Sequence, residues 1–135
     1  FFVRRRVEIS EDRSFVNKRY QILGMKDLYL GYAGGFPNGH NVHEALQRCK
    51  TGDHLKIELS DKHIYLIENT GIRIGRLSKA AQAIWRSKIN SILEIKVLAM
   101  VEWGEKDTTE KSFADLCKCE RWEVPICEFV SERII

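Results

Sequence analysis

Residues 54–76 hold three short runs in which aliphatic side chains recur at every second position: Leu55, Ile57 and Leu59, then Ile64 and Leu66, then Ile72 and Ile74. Successive side chains of an extended strand point to opposite faces, so each run predicts a short strand with one face turned inward. Ser60-Asp61-Lys62 and Asn69-Thr70-Gly71 separate the runs with turn-forming residues. Connections this short join antiparallel neighbours, and the segment is expected to be a β-meander.

The flanking sequence extends this pattern. In residues 1–9, Phe2, Val3, Val7 and Ile9 interleave with Arg4, Arg5, Arg6 and Glu8, as in an edge strand with its arginines outward. Ser10-Glu11-Asp12-Arg13-Ser14 reads as a loop, and Tyr20-Gln21-Ile22-Leu23 as a strand stopped by Gly24. Asp27-Leu28-Tyr29-Leu30-Gly31-Tyr32 alternates again before Gly34-Gly35-Phe36-Pro37-Asn38-Gly39 breaks regular structure. Asn41 is placed to cap a helix with Val42, Ala45, Leu46 and Cys49 on one face and Gly52 just past its end. Ser78 is placed to cap a second, running to about Asn90, with Ala81, Ile84, Trp85 and Ile89 buried and Lys79, Gln82 and Arg86 on another face. Residues 94–103 read as a longer strand, 104–110 as a polar loop, Phe113-Ala114-Asp115-Leu116 as a turn of helix, and 121–130 as a strand interrupted at Pro125. Trp103 and Trp122 are expected to be buried. The sum is a mainly β chain leaning toward α+β: a small barrel of about six or seven antiparallel strands, of the SH3 or OB kind, with two short helices.

A chain of 135 residues that is 44% hydrophobic and 30% charged is expected to build one packed core, so residues 1–135 read as a single domain. It begins at Phe1 and stops at Ile135 without a polar tail, as an accessory domain cut from a larger protein would. No apolar run approaches the roughly 20 residues that cross a bilayer, and Arg4-Arg5-Arg6 is not followed by the apolar segment of a signal peptide. The expected location is cytoplasmic, without membrane partners. Cys49, Cys117, Cys119 and Cys127 are too few and too unevenly spaced for a disulfide framework and read as reduced thiols. The net charge of +3 conceals an asymmetry, because residues 1–34, 35–93 and 94–135 carry +3, +4 and −4. A basic front suits a polyanion; an ordinary solvated surface would look the same.

The central segment resembles a HIRAN domain, a small barrel appended to helicases and other DNA-repair ATPases. The likeness lies in Gly52-Asp53-His54-Leu55-Lys56-Ile57-Glu58-Leu59, in His63-Ile64-Tyr65-Leu66-Ile67-Glu68-Asn69, and in Gly71-Ile72-Arg73-Ile74-Gly75-Arg76-Leu77-Ser78-Lys79-Ala80-Ala81. Ser60-Asp61-Lys62-His63 is shorter than the family's usual stretch before its second strand, and Arg76 and Ser78 stand where tyrosine and proline are usual. The whole chain also looks like the C-terminal appendage of some bacterial RecQ-type helicases. The resemblance implies a DNA-binding role beside the domains of a parent helicase.

Among candidate site residues, Arg73, Arg76, Lys79, Arg86 and Lys88 form a basic set after the meander that could line a groove for phosphates, or be a solvated helix face. Tyr29, Tyr32, Phe36 and Tyr65 lie in or near strands and the glycine-rich loop, where an exposed ring could stack on a base; Trp85 shares a face with Ala81 and Ile89 and belongs in the core. The loop from Gly31 to His40 lacks the Gly-Lys-Ser/Thr sequence of a nucleotide-binding loop. His40-x-x-His43 and Cys117-x-Cys119 do not have the paired spacing of a structural zinc site, so neither metal nor cofactor is expected. Glu58, Asp61 and Glu68 flank the meander without a nucleophile or paired acid that would mark an enzyme, and no small-molecule substrate is expected.

The resulting expectation is a non-catalytic accessory domain that binds nucleic acid, DNA in the first instance, through Arg73, Arg76, Lys79 and Arg86 with stacking by Tyr32, Phe36 and Tyr65. The alternative is a protein-interaction module that docks on the parent enzyme through its acidic C-terminal third.

Overall fold

The computed structural model describes residues 18–107 and 116–132. Six strands, β1 (Lys18–Leu23), β2 (His54–Leu59), β3 (Ile64–Ile67), β4 (Arg73–Arg76), β5 (Ile92–Gly104) and β6 (Arg121–Glu132), form one antiparallel sheet in the order β1-β6-β5-β2-β3-β4. Two helices, α1 (Asn41–Arg48) and α2 (Lys79–Trp85), complete a mainly β architecture. The expected meander is β2-β3-β4, with Glu58 opposite Tyr65 and Tyr65 opposite Arg76.

Bulges in β5 between Ile92 and Glu94 and between Val97 and Ala99 insert unpaired residues that bend the strand, so the sheet curls. The curl carries β4 over β6: a Cβ on Gly75 would meet Pro125 Cγ at 3.9 Å and Leu66 Cδ1 at 3.8 Å. The strand order is nonetheless open. Among the described residues no hydrogen-bonded pairing joins β1 to β4, so the sheet they form is not closed and the expected barrel is not confirmed.

The core lies inside the curl, where Ile64, Leu66, Ile74, Val97, Cys127 and Phe129 are fully buried beneath Val42, Ala45 and Leu46 of α1. Ala81 and Trp85 of α2 close another side, with the Trp85 ring edge-on to Phe129 at 5.0 Å. Each large aliphatic side chain so buried stabilises the fold by about 1.5–3 kcal/mol relative to exposure. Cys49 packs against this core and Trp103 is half-buried, whereas Trp122 is buried. All four cysteines are free thiols.

Several local expectations are corrected. Asn41 is the first residue of α1, not its cap; His40, in extended conformation, accepts the Val42 N–H on Nδ1 at 3.1 Å. Met25–Asp27 is a 3₁₀ turn closed by a bond from the Gly24 N–H to the Asp27 carboxylate at 3.0 Å, so the alternating segment that follows is not a strand and only Leu28 bridges, to Leu77. α2 ends at Trp85 and continues as 3₁₀ helix through Arg86–Ser91. The buried stripe of so short a helix is Ala81 and Trp85, which leaves Ile84 53% exposed, and Leu59, at the end of its strand, is 48% exposed. β6 runs unbroken through Pro125 because β1 stops at Leu23, opposite Cys127; Pro125 has a strand neighbour on one side only, where a missing N–H can be tolerated. The strand expected over residues 1–9, the loop after it, and Phe113, Ala114 and Asp115 lie outside the described residues. Among the described residues no helix is long and apolar enough to cross a membrane.

The β3-β4 turn is held from within. Glu68, buried, accepts from the Thr70 N–H at 3.1 Å, the Ile72 N–H at 3.3 Å and the Thr70 hydroxyl, and Arg48 stands 3.7 Å away. Burial pushes the carboxyl pKa up, but these hydrogen bonds and Arg48 outweigh it and leave it below the usual value. Gly71 takes a φ of 91°, which favours glycine.

Candidate nucleic-acid interface

Backbone pairing at the end of β4 assembles the site. The Tyr29 N–H donates to the Arg76 carbonyl at 2.9 Å and the Ser78 N–H to the Asp27 carbonyl at 2.8 Å, strapping the 3₁₀ turn across the β4-α2 junction. This lays the Tyr29 ring under the Arg76 guanidinium, whose central carbon is 4.1 Å from the ring centroid. Arg73 repeats the arrangement over Tyr65, also at 4.1 Å. A guanidinium stacked on an aromatic face keeps N–H donors at its edge, and the stack fixes its plane.

The rings themselves run on in a row. His40 lies 4.4 Å from Phe36, Phe36 5.3 Å from Tyr32, Tyr32 6.2 Å from Tyr65, and Tyr65 5.7 Å from His63, centroid to centroid. All five residues are half-buried. Burial, then the neighbouring Tyr65, pushes the Tyr32 hydroxyl above its ordinary pKa in spite of Arg73 and Arg76, so it remains a phenol able to donate. The Arg73 Nε donates to Glu58 Oε1 at 2.5 Å, and Arg76 Nη1 donates to His63 Nε2 at 3.0 Å. Burial, with the cations Arg76, Lys62 and Arg86 nearby, holds the His63 pKa below its usual value.

Of the residues expected from sequence, Arg73, Arg76, Tyr32, Phe36 and Tyr65 therefore come together on one face. Lys79 stands apart, lining a cavity of about 350 Å³ with Leu28, Tyr29, Gly34, Trp103 and Trp122. Tyr29 belongs both to this cavity and to the Arg76 stack, and so joins the two. The Trp122 indole donates to the Leu30 carbonyl at 2.7 Å, and a Cβ on Gly34 would fall 2.7 Å from its ring; only glycine lets the loop cross there. Arg86 turns away from a shared groove with Lys79: its Nη1 donates to the Ser60 carbonyl at 3.0 Å, while Gln82 accepts the Ile64 N–H at 2.6 Å. These two side chains latch α2 and the 3₁₀ turn after it onto the β2-β3 hairpin.

Tyr29, expected from sequence as a stacking ring, instead carries the Arg76 guanidinium, and His40, His63 and Glu58 complete the site without having been expected in it. His40 and Glu58 were weighed only as a metal ligand and as a catalytic acid, and their place here depends on contacts between segments distant in the chain. Elsewhere, His43 Nε2 lies 2.9 Å from the Phe36 carbonyl oxygen and 3.7 Å from Cys119 Sγ. Among the described residues no cluster of three histidine, cysteine or acidic side chains could hold a metal ion.

The fold and this face define a mainly β domain bearing a row of aromatic rings with two stacked arginines. Comparison with family models, with curated proteins and with solved structures finds no match to the chain.

Proposed function

We propose that this domain binds nucleic acid, DNA in the first instance, as a non-catalytic accessory module of a larger helicase or repair ATPase. The observation that carries the proposal is the pair of guanidinium groups stacked at 4.1 Å on Tyr65, a member of the row of rings, and on Tyr29, which the Arg76–His63 hydrogen bond ties to that row. Phosphates would meet the arginine edges and, on the Tyr29 side, Lys79, while bases would stack on the exposed parts of the rings. The resemblance of the meander to the HIRAN pattern points to the same partner.

The test is fluorescence anisotropy of labelled single-stranded and duplex oligonucleotides at two salt concentrations. Binding should weaken steeply with salt. Arg76→Ala should lower the slope of log affinity against log salt by about one, and Tyr65→Ala should cost about 1–3 kcal/mol of affinity. Absence of salt-sensitive binding at low ionic strength would overturn the proposal and move the search to a protein partner.

A further inference from the structure

The two stacked arginines differ in what holds them. Arg76 is held by the neutral ring of His63, which takes one N–H and leaves the positive charge uncancelled. Arg73 is held by a carboxylate. Glu58 sits on β2 directly across from Tyr65, and its Oε1 accepts the Arg73 Nε–H at 2.5 Å. Both side chains are open to water, at 47% and 40% exposure.

We propose that Glu58 is a built-in competitor for the anion that Arg73 would bind, so that it sets the affinity of this face for a phosphate backbone. The inference rests on the nucleic-acid reading above and concerns the regulation of that same site. A carboxylate and a phosphate use the same N–H donors of a guanidinium. A phosphate close enough to bond Arg73 therefore lies beside Glu58, where the two negative charges repel. An ion pair this exposed is weak enough for a ligand to open, so Glu58 lowers affinity without blocking the face. The charge of Arg76 stands uncancelled at all times, whereas that of Arg73 is offset for as long as Glu58 holds its Nε–H.

Glu58→Gln keeps the size and the acceptor while removing the charge. Anisotropy with a labelled single-stranded oligonucleotide at two salt concentrations, on wild type, Glu58→Gln, Arg73→Ala and the double variant, separates the possibilities. Glu58→Gln should tighten binding by roughly two- to fivefold and steepen its salt dependence, and the gain should vanish when Arg73 is already alanine. An unchanged or weaker affinity overturns the proposal. So does an equal gain with and without Arg73, because Glu58 would then act only as a distant charge. If neither wild type nor Glu58→Gln binds at low salt, the nucleic-acid reading itself falls and takes this one with it. Urea unfolding midpoints confirm that each variant is folded, and Glu58→Ser provides a second charge-removing change.

Discussion

Arg76 Nη1 lies 3.0 Å from His63 Nε2, and because a guanidinium can only donate, the imidazole accepts there and carries its own proton on Nδ1. That Nδ1 is buried and has no hydrogen-bond partner among the described residues. A second proton would have to enter at Nε2, breaking the bond to Arg76 and setting two cations face to face, with Lys62 and Arg86 adding to the repulsion. His63 is thus a neutral link between the arginine row and the β2-β3 turn.

This arrangement predicts a loss of stability on mild acidification. The folded-state pKa of His63 lies below its ordinary value of 6.5, so between the two the unfolded chain binds more protons. The stabilising contribution is complete above that ordinary value and is lost as pH falls through it toward the folded pKa. Glu68 and Glu94, whose pKa values also lie below the usual 4.5, lose theirs only at lower pH. Urea midpoints measured from about pH 7.5 to 5.5 should fall for wild type and fall less for His63→Gln, whose amide oxygen can still accept from Arg76. Parallel curves for the two proteins would refute the role given to His63.

Gly34→Ala should destabilise the domain by about 1–3 kcal/mol, the usual cost of forcing an atom into a packed site. The added methyl would stand 2.7 Å from the Trp122 ring, and relief requires either the ring or the loop to move. Urea denaturation gives the magnitude, and a shift in tryptophan emission should accompany it as the bond from Trp122 to the Leu30 carbonyl loosens. Gly35→Ala is the control, since among the described residues nothing lies within 4 Å of a Cβ there.

Lys79 and Arg86, equivalent on a helical wheel, should behave differently. Lys79→Gln should leave the urea midpoint unchanged and weaken oligonucleotide binding, with the salt slope reduced by about one. Arg86→Gln should lower stability by about 0.5–1.5 kcal/mol, the worth of its bond to the Ser60 carbonyl, with a smaller effect on binding. The reverse pattern would mean that Arg86, not Lys79, belongs to the binding face.

The sequence by itself determined the local elements. Alternation at Leu55, Ile64, Leu66 and Ile74 marked the meander, Ser78 marked the start of α2, and the buried stripe of α1 followed from Val42, Ala45 and Leu46, because a side-chain period is a property of neighbouring residues. Arg73, Arg76, Tyr32, Phe36 and Tyr65 were legible as candidates for the same reason: each lies in or beside an element that could be placed. Tertiary structure alone decided which groups meet. Arg76 reaches Tyr29 and His63, and Arg73 reaches Tyr65 and Glu58, through strand register and through the strap that pairs Leu28 with Leu77. It also decided the exposure of Leu59 and Ile84 and the passage of β6 through Pro125, since these depend on which neighbour covers a face and where a partner strand stops. Periodicity says which way a side chain points, while its partner is fixed by packing between segments distant in the chain, and no local pattern encodes that choice.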